Sequence, residues 1–152
     1  MIDREGLLRL YAGGEKDFTG RRRGGLRDQI IKGGIYREAD FSGRYFESSA
    51  FRDVDLSFAK FIGVRMYETT IGNSYMEGAD FSNAVFGQVT FFDVNLSRAI
   101  FKNATFNEAG FENADLSYAD LSGVTKLISG RCRNVIFHET IMPNGAVYTG
   151  RT

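Results

Sequence analysis

Every fifth residue from Phe41 to Leu121 is a large apolar side chain, running Phe41, Phe46, Phe51, Leu56, Phe61, Met66 and onward without exception. A period of five suits neither regular element. On an α-helix, five steps of about 100° leave successive apolar residues about 140° apart, so no stripe forms. On one continuous strand, an odd spacing throws them onto opposite faces. These side chains share an interior only if the chain turns once per repeat. Each five-residue unit is therefore a short extended piece followed by a corner.

A second column supports this. Two residues before each large residue stands a small or β-branched one, as at Ala39, Ser49, Val54, Ala59, Val64 and Thr69. Residues two apart share a face of an extended segment, so both columns point inward. The other positions are mostly polar or turn-forming, as in Ala79-Asp80-Phe81-Ser82-Asn83. Arg44 is the odd member of the small column, and its head is expected to escape at a corner or to pair with Glu47 or Asp40.

Ala39-Asp40-Phe41, Ala79-Asp80-Phe81, Ala114-Asp115-Leu116 and Ala119-Asp120-Leu121 resemble the repeat unit of the pentapeptide-repeat family. The resemblance covers about four-fifths of the chain. It implies an all-β fold, a right-handed quadrilateral β-helix with four repeats per square coil and the large residues stacked inside. Six or so coils at the inter-strand spacing of about 4.8 Å would make a rod roughly 30 Å long.

The ends need caps, because a solenoid exposes its core and an unpaired sheet edge there. Residues 3–12 read as an N-terminal capping α-helix: Asp3 is the N-cap, Leu7, Leu8, Leu10 and Tyr11 form its apolar side, and Gly13-Gly14 ends it. The stretch from Leu7 to Phe18 resembles the N-terminal segment of small stand-alone family members from photosynthetic bacteria. One domain spans 1–152, with main coils over 18–121 and an irregular loop at 19–25, where Arg21 falls out of frame. The frame restarts at Leu26, Ile31 and Tyr36. After Leu121 it slips by one residue, with an extra residue within 122–126. The inward series then becomes Leu127, Cys132, Phe137, Met142 and Val147, and residues 122–152 close the stack.

Composition agrees with a filled interior. There are fourteen phenylalanines and no tryptophan, and all but Phe58 and Phe92 fall in the inward column. The single proline, Pro143, leaves the ladders between coils uninterrupted until the far end. No apolar run is long enough to span a membrane, and the first residues lack the basic and apolar regions of a secretory signal, so a cytoplasmic location is expected.

Candidate chemistry is sparse. A filled prism is a poor place for a cleft, the only histidine is His138, and Cys132 falls on an inward position. No catalytic residue, cofactor or metal ligand is assigned. Charge is segregated under a neutral total: nine Lys/Arg against six Asp/Glu in residues 1–38, six against twelve in 39–121, and four against one in 122–152. Arg21, Arg22 and Arg23 form a candidate contact for an anion or an acidic partner. Direct nucleic-acid binding is disfavoured, since no aromatic platform or recognition helix accompanies them.

The outward aromatics are the better candidates for partner contact. Tyr45 and Tyr67 fall on one face, Phe58, Tyr75 and Tyr118 on the next but one, and Phe92 on the face between. The reading is a non-catalytic rod serving as a protein-interaction or scaffold module for an unknown protein partner, either a monomer or self-associating end to end. The alternative comes from the family's quinolone-resistance members: an acidic DNA mimic that binds and inhibits DNA gyrase or another DNA-binding protein.

Overall fold

The structure is a computed structural model and describes residues 4–19 and 26–152. It is a β-solenoid of roughly five turns with one short N-terminal helix, α1 (Arg4–Ala12). One sheet stacks β1 (Leu26–Arg27), β3 (Tyr45–Glu47), β5 (Arg65–Tyr67), β7 (Val85–Gly87) and β9 (Thr105–Asn107). The next face stacks β2 (Ile30–Lys32), β4 (Ala50–Arg52), β6 (Thr70–Tyr75), β8 (Thr90–Asn95), β10 (Gly110–Glu112) and β11 (Cys132–Arg133). All these neighbours are parallel, and successive strands from β1 to β10 pair at an offset of twenty positions, as in Phe46↔Met66 and Phe51↔Ile71. The other two faces are held by single bridges at the same offset, such as Lys60↔Asp80 and Asn95↔Asp115. Four repeats of five therefore close one square coil.

The twenty-residue offset puts like residues above one another. Phe41, Phe61, Phe81 and Phe101 form one stack, which Phe18 joins from twenty-three positions before Phe41; from Phe18 onward the centroids are 5.3, 5.2, 4.9 and 4.9 Å apart and the planes within 18° of parallel. Phe46, Phe51, Phe86, Phe91, Phe106 and Phe111 meet that stack edge-on or tilted, and all are buried. Offset and edge contacts of this kind add about 0.5–1.5 kcal/mol per pair beyond the apolar area they bury. The small column leaves room for the rings. Its hydroxyl members are satisfied locally: Thr69 Oγ1 donates to the Tyr67 carbonyl at 2.9 Å, and Ser74 Oγ to that of Gly72 at 2.7 Å.

Two devices make the corners. The residue two after each large one takes a left-handed backbone, whether glycine (Gly43, Gly63, Gly123) or not (Asn83, Asp93, Arg98, Glu108). Turn-forming Asn and Asp tolerate this conformation, whereas bulkier residues such as Phe58 (φ 60°) and Tyr118 (φ 61°) are held there at a cost of about 1–3 kcal/mol. On two faces the residue before the large one is often Asp or Asn. Its side chain accepts the N–H of a serine two residues on, as Asp40 does from Ser42, Asp80 from Ser82 and Asp120 from Ser122, each at 2.9 Å. The outward aspartates are thus corner braces as well as solvated charges.

The ends depart from the expected pattern in several places. Leu7 is buried, with Leu8 and Tyr11 partly so, but Leu10 points outward at 42% exposure. Tyr11 donates to the Arg37 carbonyl at 2.8 Å and meets the Tyr36 ring edge-on, which docks α1 on the first coil. The N-cap Asp3 and residues 20–25 of the irregular loop lie outside the described residues. Arg44 does not escape: it is 7% exposed, has no ion pair among the described residues, and burial pushes its guanidinium pKa down.

At the C-terminal end, Thr105↔Thr125 keeps the offset of twenty, whereas Phe111↔Cys132 has twenty-one. Exposed Lys126 takes the left-handed conformation between Thr125 and Leu127, which turns back onto the core, so the extra residue sits at the end of the expected window. The chain crosses to β11 through a 3₁₀ turn, Ser129–Arg131. A Cβ at Gly110 would overlap the Arg131 carbonyl, so this glycine is required for the turn to close.

Val147 does not continue the inward series. It is 66% exposed, because β13 (Val147–Arg151) turns back antiparallel on β12 (Ile136–Ile141) instead of laying another coil. That reversal covers part of the final sheet edge and leaves roughly five turns rather than six.

Phe81→Ala removes the middle of the ring stack and is expected to lower unfolding stability by about 3–5 kcal/mol in denaturant titration. A second expectation concerns acid. At Asp55 and Asp120 burial raises the carboxyl pKa, but hydrogen bonds from Ser57 and Ser122, with Arg37 and Lys102 beside them, bring it below its ordinary value. A carboxyl depressed on folding stabilises above its unfolded pKa, and that contribution is lost as the pH falls through the folded one. The Asp55→Asn/Asp120→Asn pair should therefore show a shallower loss of melting temperature on acidification below the ordinary aspartate range. An unchanged slope would show that these corners carry no proton linkage.

Candidate interaction surface

The outward residues sit where the repeat fixes them, and the six candidate aromatics divide among three sides of the rod. Tyr45, in β3, and Tyr67, in β5, share a sheet face, their ring centroids 5.8 Å apart and tilted by 42°. Phe92 lies half-buried on the next face, in β8. Phe58 and Tyr118 occupy left-handed corners of the following side, at 54% and 48% exposure, and Tyr75 stands there at 62%. The fold does not gather the six into one patch.

Three of the rings rest on glycines of an adjacent coil. A Cβ on Gly78 would lie 2.6 Å from Phe58 Cδ1, and one on Gly87 would lie 2.5 Å from Tyr67 Cδ1. One on Gly72 would overlap the Phe92 ring. Each ring thus fills the space a missing side chain leaves, and in exchange is held in place on the surface. The pairs Phe58–Gly78, Tyr67–Gly87 and Gly72–Phe92 are each twenty residues apart, so the signal lay in the sequence once the coil length was known.

Tyr118 is held differently. The Arg98 guanidinium lies 5.6 Å from its ring centroid, and His138 meets it edge-on at 5.0 Å. His138 is exposed, as expected of a solitary surface histidine. Cys132 is half-buried rather than fully inward, because the slipped last coil leaves its side less covered; burial pushes its thiol pKa up despite a backbone contact with Phe111. The candidate anion contacts Arg21, Arg22 and Arg23 lie outside the described residues.

The described surface includes three concavities of note. One of about 480 Å³ runs along a corner lined by Asn73, Asp93, Asn113 and Asn134, with Asn134 Nδ2 donating to Asn113 at 2.7 Å and Asn113 Nδ2 to Asp93 at 3.0 Å. A second, of about 380 Å³, lies beside Tyr45 and Tyr67. A third, of about 650 Å³, is the apolar bowl at the C-terminal end, between Leu127, Phe137, Met142 and Tyr148. Among the described residues no group of three His, Cys, Asp or Glu side chains is placed to hold a metal ion. No helix among them is long and apolar enough to cross a membrane.

Comparison with known proteins bears on the fold. Two family models, both described as pentapeptide repeats, of eight and nine copies, match residues 91–125 and 59–100. Among solved structures, the pentapeptide repeat protein Rfr23 from the cyanobacterium Cyanothece 51142 is similar over 91% of this chain and 97% of its own, at 16% identity and a TM-score of 0.55. A pentapeptide repeat protein from the Arabidopsis thaliana thylakoid lumen is similar over 78% of this chain and 74% of its own, at 18% identity and a TM-score of 0.37. Trypsin-treated QnrB1, a plasmid-mediated fluoroquinolone resistance protein, is similar over 88% and 85%, also at 18% identity and a TM-score of 0.37. No curated protein matches the sequence.

Gly87→Ala should lift the Tyr67 ring off the face with the coil intact. The expected result is an altered near-UV tyrosine signal with an unchanged far-UV spectrum; an unchanged near-UV signal would show that the ring does not rest on this glycine.

Proposed function

The chain belongs to the pentapeptide-repeat family, and we propose that it acts as a non-catalytic rod that presents fixed outward side chains to a protein partner, as an interaction or scaffold module. The observation that carries this reading is the seating of Phe58, Tyr67 and Phe92 on the glycines of neighbouring coils. Rings held in this way lose less conformational freedom on binding, which removes part of the ordering cost of an interface. The filled interior favours display over catalysis, since the inward residues other than Arg44 are apolar or, like Thr69 and Ser74, hydrogen-bonded within the wall.

A second reading, an acidic mimic of duplex DNA that inhibits gyrase or another DNA-binding protein, draws on the excess of carboxylates in residues 39–121. Against it, Asp53, Asp55, Glu77 and Asp120 each sit beside a lysine or arginine, which interrupts the acidic surface. Unchanged gyrase supercoiling at micromolar protein would remove this reading.

The test of the first reading is affinity capture from native extract with the wild-type protein and with Phe58→Ala/Tyr67→Ala. The expected outcome is a partner bound by the wild type and lost from the variant, whose far-UV spectrum and melting temperature stay close to wild type. Binding that survives alanine at all six outward aromatics and charge reversal on every face would overturn it.

A further inference from the structure

We propose that the groove beside Tyr45 and Tyr67 is a docking site for a segment of a partner protein that carries two arginines three residues apart in an extended, polyproline-type conformation. This rests on the interaction-module reading above and names the chemistry of the partner. The groove has a volume of about 380 Å³. Tyr45 and Tyr67 line it with Glu47, Gly87 and Asn107, and Glu68, Gln88 and Glu108 line it from left-handed corner positions.

The aromatic wall is the first argument. The two rings lie 5.8 Å apart, and Tyr67 is seated on Gly87, so its face is already oriented. A planar guanidinium stacks on such a face and forks toward carboxylates at its edge, which an ammonium on a flexible stem does less well.

The corner supplies those carboxylates. Ser48 Oγ donates to Glu68 Oε2 at 3.1 Å and Gln88 Nε2 to Glu108 Oε2 at 3.3 Å. Each acid is thus oriented by a neutral donor, and its second oxygen is left for another partner. Among the described residues neither acid has a cationic partner, in contrast to Glu38, Asp53, Asp55, Glu77 and Asp120. Among the described residues the groove lining carries no lysine or arginine. In the register of this sheet Arg65 is the next-coil partner of Tyr45 and Arg27 that of Glu47, both away from the corner that carries Glu68 and Glu108. Charge complementarity therefore selects a cationic segment.

The pitch of the rod selects its form. Glu68 and Glu108 occupy the same corner two coils apart, which at the inter-strand spacing is about 9.6 Å. A polyproline helix rises about 3.1 Å per residue with three residues per turn, so side chains three apart lie on one side about 9.3 Å apart. Such segments dock on aromatic grooves with little ordering cost. A β-strand is a poorer match, because its same-side residues recur every two positions at about 6.7 Å, and the groove wall offers no free sheet edge to extend it.

The experiment is fluorescence anisotropy with a labelled Arg-Pro-Pro-Arg peptide, a Pro-Arg-Arg-Pro peptide of the same composition, and a Lys-Pro-Pro-Lys peptide. The wild-type protein should bind the first peptide at least about tenfold more tightly than either control, with an affinity that falls as salt is raised. Glu68→Gln/Glu108→Gln and Tyr67→Ala should each weaken it by about tenfold or more, whereas Glu77→Gln, outside the groove, should leave it unchanged. No binding to the wild type, equal binding of the three peptides, or binding unaffected by the groove variants would overturn the proposal. If the peptide fails while partner capture still depends on the outward aromatics, the groove is wrong and the interaction-module reading stands. Capture independent of every aromatic and charge would remove both.

Discussion

The structure depends on parallel backbone hydrogen bonding between residues one coil apart. Phe61 N–H reaches the Asp80 carbonyl at 2.7 Å, Asp80 N–H reaches that of Ala59 at 3.0 Å, and the same arithmetic recurs up the rod. Because the offset is twenty, a residue's neighbours above and below are always its equivalents in another repeat. The phenylalanine stack and the rings seated on glycines are both consequences of that register. A shift of one residue would turn inward side chains outward, so the register is strongly specified. Departures are confined to the two ends: Asp17 pairs with Asp40 at an offset of twenty-three, and in the last coil Lys126 bulges and Gly110 leaves room for the Arg131 backbone.

Much of this was legible in the sequence, for a physical reason. A period of five with a small residue two places earlier has few solutions that bury both columns, so Phe41 to Leu121 could be assigned inward without reference to distant contacts. The capping helix was legible through its double-glycine stop, although Leu10 was wrongly counted on its buried side. The ends were harder because they lack periodicity. Val147 continued the series on paper, yet a hairpin back over the final edge satisfies more backbone groups than another coil with nothing above it.

The surface was legible only in part. Which residues face outward followed from the period, and the sharing of one face by Tyr45 and Tyr67 followed from the coil length. That three outward rings fill the space above glycines did not, because reading it requires comparing positions twenty apart rather than neighbours. Nor did burial of Arg44 follow: a charged residue in an inward column normally leads toward water, and here it is 7% exposed. The corner aspartates are legible as solvated turn residues from their composition, and the structure adds the bond that makes each turn, in which the aspartate accepts the serine N–H two residues later.

The left-handed corners carry a consequence for how the rod forms. A residue such as Phe58, Arg98 or Tyr118 is disfavoured in that conformation until a neighbouring coil accepts its N–H, as Glu77 does for Phe58 and Ser117 for Arg98. A lone coil would bear this penalty at its corners with few bonds to offset it, while each coil laid on an existing one gains a full set. Formation is therefore governed by a costly seed followed by favourable growth, with order spreading along the axis as a zipper closes from one engaged tooth. The phenylalanine-rich middle coils, which have a neighbour on both sides, are the natural place for that seed.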